Sequence, residues 1–243
     1  GPDTLTIRTG AVNTDGSILA TGGSSMIAGG TSLTVGGTGS LSIRVNGSTD
    51  SLQIDSLITG FSGGLTKSGE GTLILTAANA QTGVVSINEG TIRLSGSGQL
   101  AGDNADLAIR QGAVLDLNGV TPATNTNAFN NAGRVINSST TAATFTIGSN
   151  GGTGTAFGTV EGAINLTKLG NGVISLYNKS TYTGVTTIGG TVNVRVDTLA
   201  DGGLPSGIGA STSDAANLVF NGAGGGIRYD GNIRDGDLTL GST

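Results

Sequence analysis

The sequence predicts an all-β protein wound as a parallel β-helix. Three observations carry this: short alternating apolar runs, glycine-rich punctuation between them, and a duplicated unit whose copies stand 101 residues apart, Leu65 against Leu166. Of the 243 residues, 46 are Gly, 35 Thr, 23 Ser and 19 Asn, about half of the chain. Collagen would need a Gly-X-Y period and abundant proline, whereas only Pro2, Pro122 and Pro205 occur. Disorder is opposed by 35% hydrophobic residues gathered in alternating clusters. Repetitive β-structure remains.

The runs follow one another from end to end. Leu5-Thr-Ile7, Leu33-Thr-Val35, Leu41-Ser-Ile43-Arg-Val45, Leu52-Gln-Ile54, Leu73-Ile-Leu75, Val85-Ser-Ile87, Thr91-Ile-Arg-Leu94, Leu107-Ala-Ile109 and Val114-Leu-Asp-Leu117 fill the first half. Phe145-Thr-Ile147, Ile164-Asn-Leu166, Val173-Ile-Ser-Leu176, Val192-Asn-Val194-Arg-Val196, Leu218-Val-Phe220, Ile227-Arg-Tyr229 and Leu238-Thr-Leu240 fill the second. Three to five residues at period 2 make a strand with one buried face. Strands so short and close leave no room for crossover helices, and they are shorter than a sandwich or barrel prefers. Coils of 20–25 residues would give about ten to twelve rungs. Two polar, weakly patterned stretches, 119–141 and 197–216, are expected to project from the rod.

Composition also excludes functions. Without His or Cys there is no zinc finger, His-based triad, thiol nucleophile or haem ligand. A net charge of −5 has the wrong sign for a nucleic-acid binder, and no run of 18 apolar residues offers a membrane span. The absence of cysteine suits a protein threaded across bacterial membranes. Gly1-Pro2 reads as the scar of a cleaved tag, with a single β-helix from residue 3 to 243.

The duplication is the sharpest signal. Gly64-Leu-Thr-Lys-Ser-Gly-Glu-Gly-Thr-Leu-Ile-Leu75 aligns with Asn165-Leu-Thr-Lys-Leu-Gly-Asn-Gly-Val-Ile-Ser-Leu176. Thr82-Gly83 then meets Thr183-Gly184, Val85-Ser-Ile87 meets Thr186-Thr-Ile188, and after one deletion Gly90-Thr91 meets Gly190-Thr191. The copies span 64–94 and 165–194. This pattern resembles the passenger-associated transport repeat, also called the autotransporter-associated β-strand repeat. The resemblance implies a right-handed parallel β-helix, a structural passenger segment exported through the outer membrane and secreted from or displayed on a Gram-negative cell. It further implies adhesion or self-association, with the host surface, a glycan or the chain itself as partner classes. A translocator barrel is expected elsewhere in the parent protein, since nothing in 200–243 has strands of about ten alternating residues. The alternative is a carbohydrate-active β-helix, a lyase or glycosidase, or a glycan-binding module.

No catalytic, cofactor-binding or metal-ligating set is expected. Gly69, Gly71, Gly170 and Gly172 form G-x-G without a following helix, so they read as turns with φ > 0 rather than a phosphate cradle; Gly222–Gly226 reads as a bend. Lys67 and Lys168 read as solvated charges at a rung edge, with an anionic glycan as the functional counterpart. Gly151-Gly-Thr-Gly-Thr-Ala156 starts like a calcium repeat but has Ala where Asp is needed. Asp103 with Asp106, and Asp235 with Asp237, are acidic pairs in turn contexts. A carboxylate machinery would have to come from Asp197, Asp201, Asp214, Asp230, Asp235 and Asp237, for which pairing of Asp with Arg195 and Arg228 is the structural reading. Tyr182, in the repeat's Ser-Thr-Tyr-Thr-Gly turn, reads as structural. Thr-x-Thr pairs occur at irregular spacing and make no aligned ice-binding face.

Overall fold

A computed structural model describes residues 15–231, together with the backbone of strand Thr4–Thr6. Gly1-Pro2, Asp235, Asp237 and the run Leu238–Leu240 lie outside the described residues. The chain winds as a parallel β-helix: every ladder between named strands runs parallel, and the sheets lengthen by one strand per coil. Among the described residues the one helical turn is the 3-10 segment Ala215–Asn217.

The longest sheet has ten strands, starting at residues 16, 41, 65, 85, 107, 129, 154, 174, 194 and 227. Coils therefore take 20 to 25 residues until the last, which takes 33. Nine steps of about 4.8 Å make this sheet about 43 Å long. A second sheet of eight strands runs from Ser24–Ile27 to Thr181–Tyr182. Ten passes of the chain thus include eight coils that carry both strands.

The third side is discontinuous. Thr4–Thr6, Ser32–Thr34 and Leu57–Ile58 form three strands, and Ala143–Ile147, Ile164–Lys168, Thr186–Gly189 and Leu218–Asn221 form four. Between them the chain passes as loops, and buried amides replace the missing ladder. Asn79 Oδ1 accepts from Ile58 N (2.9 Å) while its Nδ2 donates to Gln99 O (2.8 Å), and Gln81 Nε2 donates to Leu100 O (2.6 Å). Buried backbone groups without a strand partner must find a side chain, and here they do.

Period 2 explains the core. Leu41, Leu65, Val85, Leu107 and Phe129 stack in register on the long sheet, all buried. Leu52, Leu73, Ile92, Leu115, Val135 and Val160 do the same on the second. Each such side chain contributes about 1.5–3 kcal/mol by leaving water. Phe129 meets Phe145 edge to face, ring centres 5.5 Å apart, closing the long sheet against the four-stranded one.

Two expectations need correction. The 119–141 stretch does not project as a whole: it contains Phe129–Asn131 and Arg134–Asn137, which extend both main sheets, and Phe129 and Val135 are core. Its apolar residues are sparse because Asn131 and Asn137 take inward positions and bond backbone there. The 197–216 stretch projects only in part: residues 201–205 and 212–216 are exposed, while Ser206–Ala210 is packed, joined to the coil by the Ser180–Ser206 bridge and by Ala210 N to Tyr182 O (2.8 Å).

The stacking tolerates nothing at certain corners. A Cβ at Gly172 would fall on the Gly152 carbonyl oxygen, and one at Gly71 would lie 2.6 Å from Asp50 O and from Val45 Cγ1. Neither glycine has positive φ, so close approach of coils, not chirality, demands them. Gly172→Ala should therefore lower unfolding stability by about 1–3 kcal/mol in urea titration, whereas Gly47→Ala, facing a side chain (Asp50, at 3.0 Å) rather than backbone, should cost less.

Candidate functional site

The feature built with most specificity is the corner inside each repeat copy. Alternation from Leu65 turns Lys67 inward, in register between Ile43 and Ile87. Lys168 sits the same way between Ile147 and Ile188. Both side chains are buried, at 0% and 2% exposure. The expectation of solvated edge charges is thus corrected: the aliphatic stems continue isoleucine columns, and the ammonium groups turn to the corner backbone.

Lys67 Nζ donates to Ser68 O (2.9 Å), Gly69 O (2.6 Å) and Glu89 O (3.2 Å). Gly69 N in turn donates to Glu89 Oε2 (2.8 Å). This is a reciprocal clasp between consecutive coils. An ammonium has three donors, and here all three are used. Of the four glycines expected at positive φ, Gly69 (+75°) and Gly170 (+64°) take it, whereas Gly71 and Gly172 do not and are required by the close approach of the neighbouring coil instead. In copy two Lys168 Nζ donates to Gly170 O (2.7 Å). Glu89 falls at the one-residue deletion, so the second corner carries no equivalent carboxylate on that stretch. Burial pushes the Lys67 amine down to about 8, partly opposed by Glu89, and burial likewise lowers Lys168.

The two copies lie on different sides of the rod. Copy one places Leu65–Ser68 and Thr72–Leu75 on the ten- and eight-stranded sheets. Copy two places Ile164–Lys168 and Ile174–Leu176 on the four- and ten-stranded sheets. The offset of 101 residues stops one face short of five coils, so the repeat encodes a strand–corner–strand unit and not a particular face.

The remaining candidates have separate roles. Asp230 is held by Tyr177 Oη (2.8 Å) and Arg228 Nε (2.8 Å), and its other ion pair, to Arg195 Nε at 2.7 Å, lacks hydrogen-bond alignment. The Tyr177 hydroxyl, then the two arginines, hold its carboxyl below the usual range. Asp197 is buried and accepts from Thr198 Oγ1, Asp214 caps the 3-10 turn, and Asp201 is exposed. Asp103 accepts from Asn125 N, and Asp106 from Asn127 Nδ2 and Ala128 N. Asp103 and Asp106 thus bind the next coil, 21 to 22 residues on, rather than closing their own turn as expected. Among the described residues no three His, Cys, Asp or Glu side chains cluster. Tyr182 is buried with its hydroxyl 2.8 Å from Thr186 Oγ1, and burial raises its pKa.

Sequence reasoning overlooked Asp116, which is fully buried. It accepts from Arg93 Nε (2.8 Å), Asn118 N (2.9 Å), Ser138 N (3.1 Å) and Ser138 Oγ (2.8 Å), tying three coils together. Its signal was present in Val114-Leu-Asp-Leu117, an acid inside an apolar run followed by Asn-Gly.

With this geometry in place, comparison defines the class. A family pattern described as Passenger-associated-transport-repeat matches residues 65–94 and 166–194, which contain both lysine corners. The chain is a passenger segment of the autotransporter class, secreted or displayed through the outer membrane of a Gram-negative bacterium. Along its whole length it is similar to the "Adhesin BmaC autotransporter" of Brucella suis biovar 1 (strain 1330), 36% identical over 247 residues. It spans 7% of that relative's length. No solved structure matches. Among the described residues no helix is long and apolar enough to cross a membrane.

Replacing Lys67 by Met keeps the apolar stem but leaves three corner carbonyls without their donor, which should cost about 1–3 kcal/mol. Because the folded-state pKa lies below the free-lysine value, the unfolded chain binds more protons between about pH 8 and 10.5. Lys67 should therefore add stability as pH rises through that window. Urea titrations of the parent and Lys67→Met from pH 7 to 10 should show this increment only in the parent.

Proposed function

We propose that this segment is a non-enzymatic stretch of passenger that supports export and folding and holds an adhesive surface away from the cell. The observation that carries it is the repeat clasp, which joins residues 22 apart, Lys67 to Glu89, across neighbouring coils. All ladder contacts likewise join successive coils, such as Leu41 to Leu65 and Leu65 to Val85. A chain whose ladders join only neighbouring coils can be laid down coil by coil as it leaves a pore. Once a corner closes, retreat would require breaking buried hydrogen bonds, so folding outside biases movement outward. Low charge and absence of cysteine suit the same passage.

Adhesion is carried over from the relative named an adhesin, and the translocator barrel belongs to the rest of such a parent protein. A non-enzymatic role is supported by the candidate carboxylates: Asp197, Asp214 and Asp230 each serve a separate local contact. A glycosidase or lyase needs two or three acting on one substrate.

In the full-length parent protein, Lys67→Met with Lys168→Met should reduce surface-displayed, protease-resistant passenger at constant transcript level. Unchanged display measured by antibody on intact cells would refute the proposed role of the clasps.

A further inference from the structure

Charge is segregated on this rod. The chain has 16 acidic and 11 basic residues, yet none of the ten strands of the long sheet contains Asp or Glu. Their charged residues are Arg44, Lys67, Arg195 and Arg228, and Arg110 follows Leu107–Ile109 directly. With Lys67 turned inward, the outward charges of these strands are arginines; Asp230, next after Ile227–Tyr229, pairs with Arg195 and Arg228, while among the described residues no ion pair holds Arg44 or Arg110. The eight-stranded sheet carries acids within its strands and pairs each of its arginines, Arg93 with Asp116 and Arg134 with Glu161.

The exposed arginines are anchored without being used up. Arg44 Nε donates to Asn46 Oδ1 (3.2 Å), Arg110 Nε to Asn88 Oδ1 (3.0 Å) and Arg228 Nε to Asp230 Oδ1 (2.8 Å). A guanidinium has five donors, so each retains its outer fork for a bidentate acceptor. Two shallow depressions open on this same face. One, of about 530 Å³, runs past Asn88, Arg110, Asn130 and Phe157; the other, of about 330 Å³, lies between Asn193, Arg195 and Arg228. Neither is lined by a carboxylate.

We infer that the ten-stranded face binds an acidic polysaccharide lying along the rod axis. Guanidinium forks take its carboxylate or sulfate groups, amides of Asn88 and Asn130 meet hydroxyls, and the half-exposed Phe157 ring offers a flat apolar contact. Charge spacing selects the polymer. Arg110 and Arg195 belong to coils four steps apart, about 19 Å, which suits a chain charged only at intervals. Nucleic acid carries a phosphate about every 3.4 Å per strand, far denser than these arginines. This rests on the adhesive reading of the segment and supplies its ligand class.

The test uses the purified whole chain in equilibrium binding, with a sulfated polysaccharide, a polyuronate, uncharged dextran and polyglutamate as probes. Binding of one or both acidic polysaccharides is expected, weakening with salt, the two arms separating sulfate from carboxylate recognition. The triple variant Arg44→Gln, Arg110→Gln, Arg228→Gln should bind about tenfold or more weakly, and Arg→Lys at the same positions, which keeps the charge but loses the fork, should fall between it and the parent at an unchanged melting temperature. Arg134→Gln, on the other sheet, should bind as the parent does. No binding to either acidic polysaccharide, equal binding to dextran or polyglutamate, or an unaffected triple variant would overturn the inference. Display on cells reads the lysine clasps and not these arginines, so the two proposals fail separately.

Discussion

Everything in this rod depends on how its corners stack. Coils repeat every 4.8 Å or so along the axis, and at each turn backbone oxygens are forced inward and against the next coil. Gly71 and Gly172 make room for that approach. The oxygens still need donors, and the repeat supplies one by turning Lys67 or Lys168 into the core. A buried ammonium is expensive unless its hydrogen bonds are met. At Lys67 they are, and that coil is thereby fastened to its successor through Glu89 O.

The same requirement is met elsewhere by different chemistry. Where the third side loses its strands, Asn79 and Gln81 substitute amide groups for ladder partners. At the second-sheet corner, Asp116 gathers Arg93, Asn118 and Ser138. Because these are local solutions, faces are interchangeable, and the second repeat copy can sit one face away from the first without changing its corner.

Interchangeable faces also free the surface for divergence. Outward positions contribute little to the core, so charge can be distributed over them for other ends. The strands of the long sheet carry arginine and no acid, with Arg44 and Arg110 outside any ion pair among the described residues, whereas Arg134 and Glu161 neutralise each other on the next. Export and binding thus draw on opposite sides of the same strands: inward residues fasten coils, outward residues meet the environment.

Alternation and glycine punctuation in the sequence determined the parallel β-helix, its coil length and most core residues, because period 2 and tight turns are local properties. Leu65, Leu73 and Val85 could be placed inside from their neighbours alone. The repeat marked the special corners as well, since lysine and glycine recur together. What lysine does there was decided only by tertiary structure: its donors are satisfied partly by Glu89 O, 22 residues away, and a residue's inward turn is costly or favourable according to such distant partners. The same holds for the 119–141 stretch, where Asn131 and Asn137 are core because stacked backbone receives them. The arginine face likewise arose only when coils separated by 20 to 33 residues were brought into register.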